Sequence, residues 1–173
     1  MAQSNAVQTV GERRGSACML KAIAFGGLFA GTIDIGSACA INGLSPMVIL
    51  HAIASGLLGA ASFRGGWPTA LAGLLLQWLM SWLIAAIFVT AASRLGWMMR
   101  RWIAAGVAYG VVIYLVMNLV VVPLSAAPFH PRFTPTKVFE NLLAMILFGL
   151  IVSGWARAFP GRGPARRSAL HAQ

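Results

Sequence analysis

Acidic residues are almost missing. In 173 residues there are three, Glu12, Asp34 and Glu140. Charged residues of both signs make up only 9 % of the chain, against roughly 25 % in soluble domains. With 59 % hydrophobic residues, the chain has too little polar surface to cover a water-soluble globule, so a bilayer must be part of its solvent. Cysteine is equally scarce. Cys18 and Cys39 lie at opposite ends of one apolar run, about 30 Å apart as helix, which excludes a disulfide within one protomer. Neither sits in a CxxC or zinc spacing. No histidine falls deep in an apolar run, which removes axial ligands for haem. No two of His51, His130 and Glu140 share a helical i, i+3 or i+4 spacing, so no metal is expected. There is no Gly-rich phosphate loop, nucleophile elbow or HExxH. Intramembrane proteolysis needs GxSG or two aspartates, and neither occurs. The expectation is a chain without cofactor or metal and not an enzyme; an enzyme on a lipid-borne substrate lacks a visible nucleophile–base pair.

What the sequence does have is positive charge, with thirteen lysines and arginines and a formal net charge of +10. These residues cluster at the ends of apolar runs. They therefore read as a topology signal and not as a nucleic-acid surface. The partner they imply is the lipid bilayer.

The expected class is all-α, an integral membrane four-helix bundle with one additional interfacial or re-entrant helix. Residues 1–17 are polar and read as a cytoplasmic tail, and 160–173 as a basic, disordered one. Spans are expected over about 21–41, 68–92, 103–124 and 138–159, each long enough to cross. Arg13, Arg14 and Lys21 ahead of the first run, with Ala38-Cys39-Ala40 near its end, also fit a signal peptide. The aspartate inside the run and its length favour a retained span.

Residues 46–63 are ambiguous. Ser45-Pro46 is a helix start and Gly65-Gly66 a stop. Ile49, Leu50, Ile53 and Leu57 lie on one side, His51, Ser55 and Ser62 on another. The segment reads as interfacial, re-entrant or a fifth span. Charge separates these. With four spans and the N-terminus inside, ten basic residues face the cytoplasm and three the outside. A fifth span gives six against seven. The positive-inside rule selects four spans with both termini cytoplasmic. Trp67 near one boundary and Trp97, Trp102 and Trp155 near the other fit an aromatic belt.

The first span carries the strongest internal signal. Gly27, Ala30, Gly31, Asp34, Ser37 and Ala38 share one helix face. Small residues there let another backbone approach, so Gly27 and Gly31 are helix-packing candidates, as are Gly106 and Gly110 on the third span. Such faces also predict self-association. Asp34 lies about 10 Å inside the span, where an isolated carboxylate costs about 2.5–3.5 kcal/mol on insertion scales and needs a partner, a water-filled cavity or a proton. Gln77, Tyr114 and Asn118 lie in the same half of the bundle, with Glu140 and His51 at its rim. One reading makes Asp34 the centre of a proton or cation path lined by these residues. The other makes it a structural group tied to the third span through Asn118 or Tyr114. Glu140 reads as a carboxylate favourably placed at a helix N-terminus.

The run GVAYGVVIYLVMNLVVVPLSAAPF and the later KVFENLLAMILFGLIVSGWARAF resemble small uncharacterised bacterial inner-membrane proteins. GTIDIGSAC and LHAIASGLLGAASFRGG are similar to the first half of that group. A more remote similarity, around Pro123, Leu124 and Glu140, is to the YagU-type membrane proteins. Relatives carry a histidine one turn after the acidic position, where this chain has Ala144. The resemblance implies a multi-span membrane protein and no particular activity. The functional expectation is a structural or accessory membrane protein, the alternative a small transporter or proton-coupled channel centred on Asp34.

Overall fold

The computed structural model describes residues 2–128 and 134–159, with side chains from residue 15 onward. His130 and the tail 160–173 lie outside the described residues. Every regular element among the described residues is helical. Five segments are long and apolar enough to cross a membrane: Gly15–Asn42, Pro46–Arg64, Gly66–Arg94, Trp102–Leu124 and Pro135–Ala158. The chain is a multi-pass helical membrane protein.

Helix α1 runs Ala2–Asn42. It passes through the stretch set apart above as a tail, which has no proline and is rich in helix-forming Ala, Gln, Glu and Arg. Gly43, with φ 64°, ends it; only glycine enters that region freely. Helix α2 (Pro46–Leu58) starts at Ser45, as the Ser-Pro pair predicts. The Ser45 side chain makes no cap bond; its carbonyl accepts from Val48 and Ile49 N–H instead. The break falls at Gly59, φ 61°, six residues before the Gly-Gly stop read from sequence. A 3₁₀ segment, Gly59–Arg64, follows. It folds back along α2: Ser62 Oγ donates to His51 O at 3.0 Å. A straight helix would separate those residues by about 16 Å. Residues 46–64 therefore form a hairpin.

Helix α3 (Gly66–Arg94) runs antiparallel to α1, since Gly27 abuts Trp82 and Gly31 abuts Ser81. Both ends of the hairpin thus lie at the same end of the α1–α3 pair. A short helix α4 (Gly96–Arg100) turns the chain into α5 (Trp102–Val116). A π-turn, Met117–Val121, and α6 (Val122–Leu124) complete that rod. Val122 N–H reaches back five residues to Met117 O. The cause is Pro123: it has no N–H for the Leu119 carbonyl and its ring would clash there, so the turn widens. Helix α7 (Pro135–Ala158) starts with Pro in its first turn.

Helix α7 packs antiparallel on both α1 and α5. Gly26 meets Val152 and Trp155, and Gly110 meets Met145 and Ile146. The four long helices alternate in direction, with α1 and α7 central, α3 against α1 and α5 against α7. The Tyr109 hydroxyl donates to Ile84 O at 2.7 Å and joins α5 to α3. Six of the eleven residues of the main buried cluster are alanines, with Phe88 and Phe148 the large members. Small residues there let helices approach closely where lipid supplies no hydrophobic drive between them.

Candidate functional site

Asp34 sits where α1 faces α3. A Cβ on Gly31 would fall 2.4 Å from Ser81 Oγ, and one on Gly27 would fall 2.4 Å from the Trp82 ring and 3.0 Å from Trp82 Cα. Those two glycines bring the helix axes close enough for short side chains to meet one turn further on. There Gln77 Nε2 donates to Asp34 Oδ2 at 2.8 Å. Gln77 is the one side-chain hydrogen-bond partner of Asp34 among the described residues. Two indoles extend the seam: Trp78 Nε1 donates to Thr32 Oγ1 at 3.4 Å and Trp82 Nε1 to Ala24 O at 3.2 Å. Ser81, which lies between them, satisfies its hydroxyl on Gln77 O at 2.8 Å.

The other candidates are not gathered around this pair. Asn118 bonds Tyr114 O in its own helix at 2.8 Å. The Asn118–Asp34 and Tyr114–Asp34 ties envisaged from sequence are replaced by Gln77, because α1 packs on α3 and α7 while α5 packs on α7. Asn118 lies in the π-turn, about 12 Å along the rod from Gly110. Glu140 is the sixth residue of α7, beyond the first turn to which helix-dipole stabilisation is confined. It faces Lys137 across one turn, Nζ to Oε2 3.4 Å. The Lys137 ammonium also donates to Ile41 O, the exposed carbonyl end of α1. The pair is thus a latch between α1 and α7. That basic side chain at a helix C-terminus is readable only once α7 is placed beside α1.

His51 is packed against the start of α3. It is 7 % exposed, and its Nε2 donates to Gly66 O at 2.9 Å. Ser55 and Ser62 are fully buried, while Leu57 is 70 % exposed. The hairpin turns these polar groups inward together with Ile49 and Ala54, and leaves Val48, Leu57 and Leu58 exposed. Gly73 lets it dock, since a Cβ there would lie 2.0 Å from Leu50 O. Ala126 N–H to Gly56 O, 2.9 Å, ties the hairpin to the end of α6. No group of three or more metal-binding side chains occurs among the described residues.

Chemically the Asp34 arrangement is a carboxylate held by one amide in a glycine-lined helix contact. It offers a hydrogen-bonded tie; no second titratable side chain touches it among the described residues. No family model, curated protein or solved structure matches the chain.

Proposed function

We propose that this is a four-span bacterial inner-membrane protein with a re-entrant hairpin and cytoplasmic termini, and that its role is structural or accessory, without catalysis. The hairpin reading is supported by where its polar groups go. His51, Ser55 and Ser62 are buried and hydrogen-bonded within the protein while Val48, Leu57 and Leu58 are exposed, which suits immersion in lipid, where polar groups must be satisfied internally. The antiparallel α1 and α3 support it too, because a single fifth span over residues 46–64 would make those helices parallel. Four spans then keep the ten-to-three bias of positive charge.

The single observation that carries the structural role is the Gln77–Asp34 hydrogen bond. It gives the buried carboxylate the partner that the bilayer interior demands, while Asn118, Glu140 and His51 bond elsewhere, to Tyr114 O, Lys137 and Gly66 O. The chain is accordingly a helical unit packed through small-residue faces. The test is proton flux in proteoliposomes carrying an internal pH dye and a potassium diffusion potential. Wild type and Asp34→Asn are expected to leak no faster than protein-free liposomes. A wild-type flux that Asp34→Asn abolishes would establish the transporter reading instead. The topology is tested in a background with Cys18 and Cys39 replaced by serine. Single cysteines at Gly43 and at Gly96 should label from opposite sides of the membrane with an impermeant maleimide.

A further inference from the structure

The basic end of the bundle holds a feature that the structural role does not use. Between the start of α5 and the last two turns of α7 lies an apolar groove of 590 Å³, lined by Trp102, Ile103, Ile151, Gly154, Trp155 and Ala158. It opens because α5 and α7 touch closely further along, where a Cβ on Gly149 would lie 2.2 Å from Gly106 O. Past that contact the helices part, and two tryptophans form the walls.

Charge at the mouth of the groove has one sign. The Arg157 guanidinium lies over the Trp102 ring, 5.5 Å from its centroid. Arg101 immediately precedes Trp102, and both arginines are exposed. Neither guanidinium has a hydrogen bond or ion pair to another described residue. The two acidic side chains among those described are remote. Glu140 is about 27 Å along α7 from Ala158, and Asp34 is about 12 Å along α1 from Gly26, which meets Trp155. A groove with an apolar floor and an unpaired cationic rim, at a tryptophan-marked boundary, matches one amphiphile: an acyl chain beneath an anionic phosphate. Arginine is suited to the phosphate, presenting paired N–H donors while its own plane rests on an aromatic ring.

We infer that this groove is a binding site for an anionic phospholipid, with Arg101 and Arg157 on the phosphate and an acyl chain between Trp102 and Trp155. The inference rests on the membrane reading above. The experiment is native mass spectrometry of the full chain released from detergent micelles doped with dioleoylphosphatidylglycerol or dioleoylphosphatidylcholine at equal mole fraction. Wild type is expected to retain the anionic lipid in preference. Arg101→Gln and Arg157→Gln should each lower that retention about fivefold, from the free energy of one cation near an anionic surface. Gly154→Leu should abolish it. A Cβ at that position meets only the Trp102 ring, at 3.8 Å, so the variant fills the groove without disturbing the helix contact; an unchanged elution volume verifies that. Equal retention of the two lipids, or retention untouched by all three variants, overturns the site while leaving the membrane reading intact. Retention of no lipid at all overturns both. Displacement by millimolar inorganic phosphate alone would show that the apolar floor plays no part and would likewise overturn the proposal.

Discussion

The α5–α7 and α1–α3 seams are built from the same small residues and hold by different means. Between α5 and α7 the contact is dry. Gly106, Gly110 and Gly149 press backbone against backbone, and Ser153, whose hydroxyl lies 2.5 Å from where a Cβ on Gly106 would fall, turns its own bond to Leu150 O. No side-chain hydrogen bond crosses that seam among the described residues. Between α1 and α3 the glycines instead admit side chains. Gln77 reaches Asp34, Trp78 reaches Thr32, and Trp82 reaches a backbone carbonyl. The difference teaches what a glycine does in lipid. Facing another glycine, it lets dispersion and backbone contact act at short range. Facing a tryptophan or serine, it positions polar groups that hydrocarbon cannot solvate.

The comparison breaks most sharply at Gly110. A Cβ there would lie 2.5 Å from Ile146 Cα and Met145 O, both of them backbone, so Gly110→Leu must force α5 off α7. We expect a loss of about 3 kcal/mol or more, read as reversible unfolding in detergent or by steric trapping in bilayers. Gly36→Leu, at a position with open space around it, should be neutral in the same assay. A smaller effect is expected at Gly27, where the nearest atom is the Trp82 ring. Gly27→Ala should cost about 1–2 kcal/mol, with the indole rotating away and its emission shifting as its bond to Ala24 O is lost. Equal losses at Gly27 and Gly110 would mean that the two seams do not differ in the way described.

The polar seam itself is worth less than its conspicuousness suggests. Asp34→Asn and Gln77→Leu, combined in a double-mutant cycle, should give a coupling of about 0.6–1.7 kcal/mol, the range for interhelical hydrogen bonds in membranes. A coupling near zero would show that the Asp34 carboxylate is solvated by water, and the structural role would fall with it. Smallest of all is the α1–α7 latch. Its ion pair is over a third exposed, so Lys137→Met should cost under about 1 kcal/mol, and less at high salt.

Much of this architecture is legible in the residues. Spans show as apolar runs longer than the bilayer core, and their packing faces as Gly27/Gly31 and Gly106/Gly110 at helical spacing. Where reading fails, the reason is physical. Periodicity splits His51, Ser55 and Ser62 from Ile49 and Leu57 but does not say which residues pack: Ile49 is buried along with the polar group and Leu57 is exposed, because in lipid an apolar side chain gains little by turning inward. Gly59 takes positive φ where Gly56 and Gly65 on either side of it do not, and that reversal makes a hairpin of a segment long enough to span. The dipole account of Glu140 depends on where α7 begins, and three further residues of helix from Pro135 move it out of the first turn.

By itself, then, the sequence determined a helical membrane chain, the number of its apolar runs, the faces on which they meet and the lone intramembrane carboxylate that needs a partner. All of these follow from local composition and from the period of the helix. Only the tertiary structure decided that the partner is Gln77 and not Asn118, that His51 is buried, that Lys137 closes on Ile41 and that Arg157 lies over Trp102 beside an apolar groove. Those depend on which helix lies beside which. Several arrangements of the same faces satisfy the same periodicity, so neighbour choice is settled by the summed fit of backbones in three dimensions.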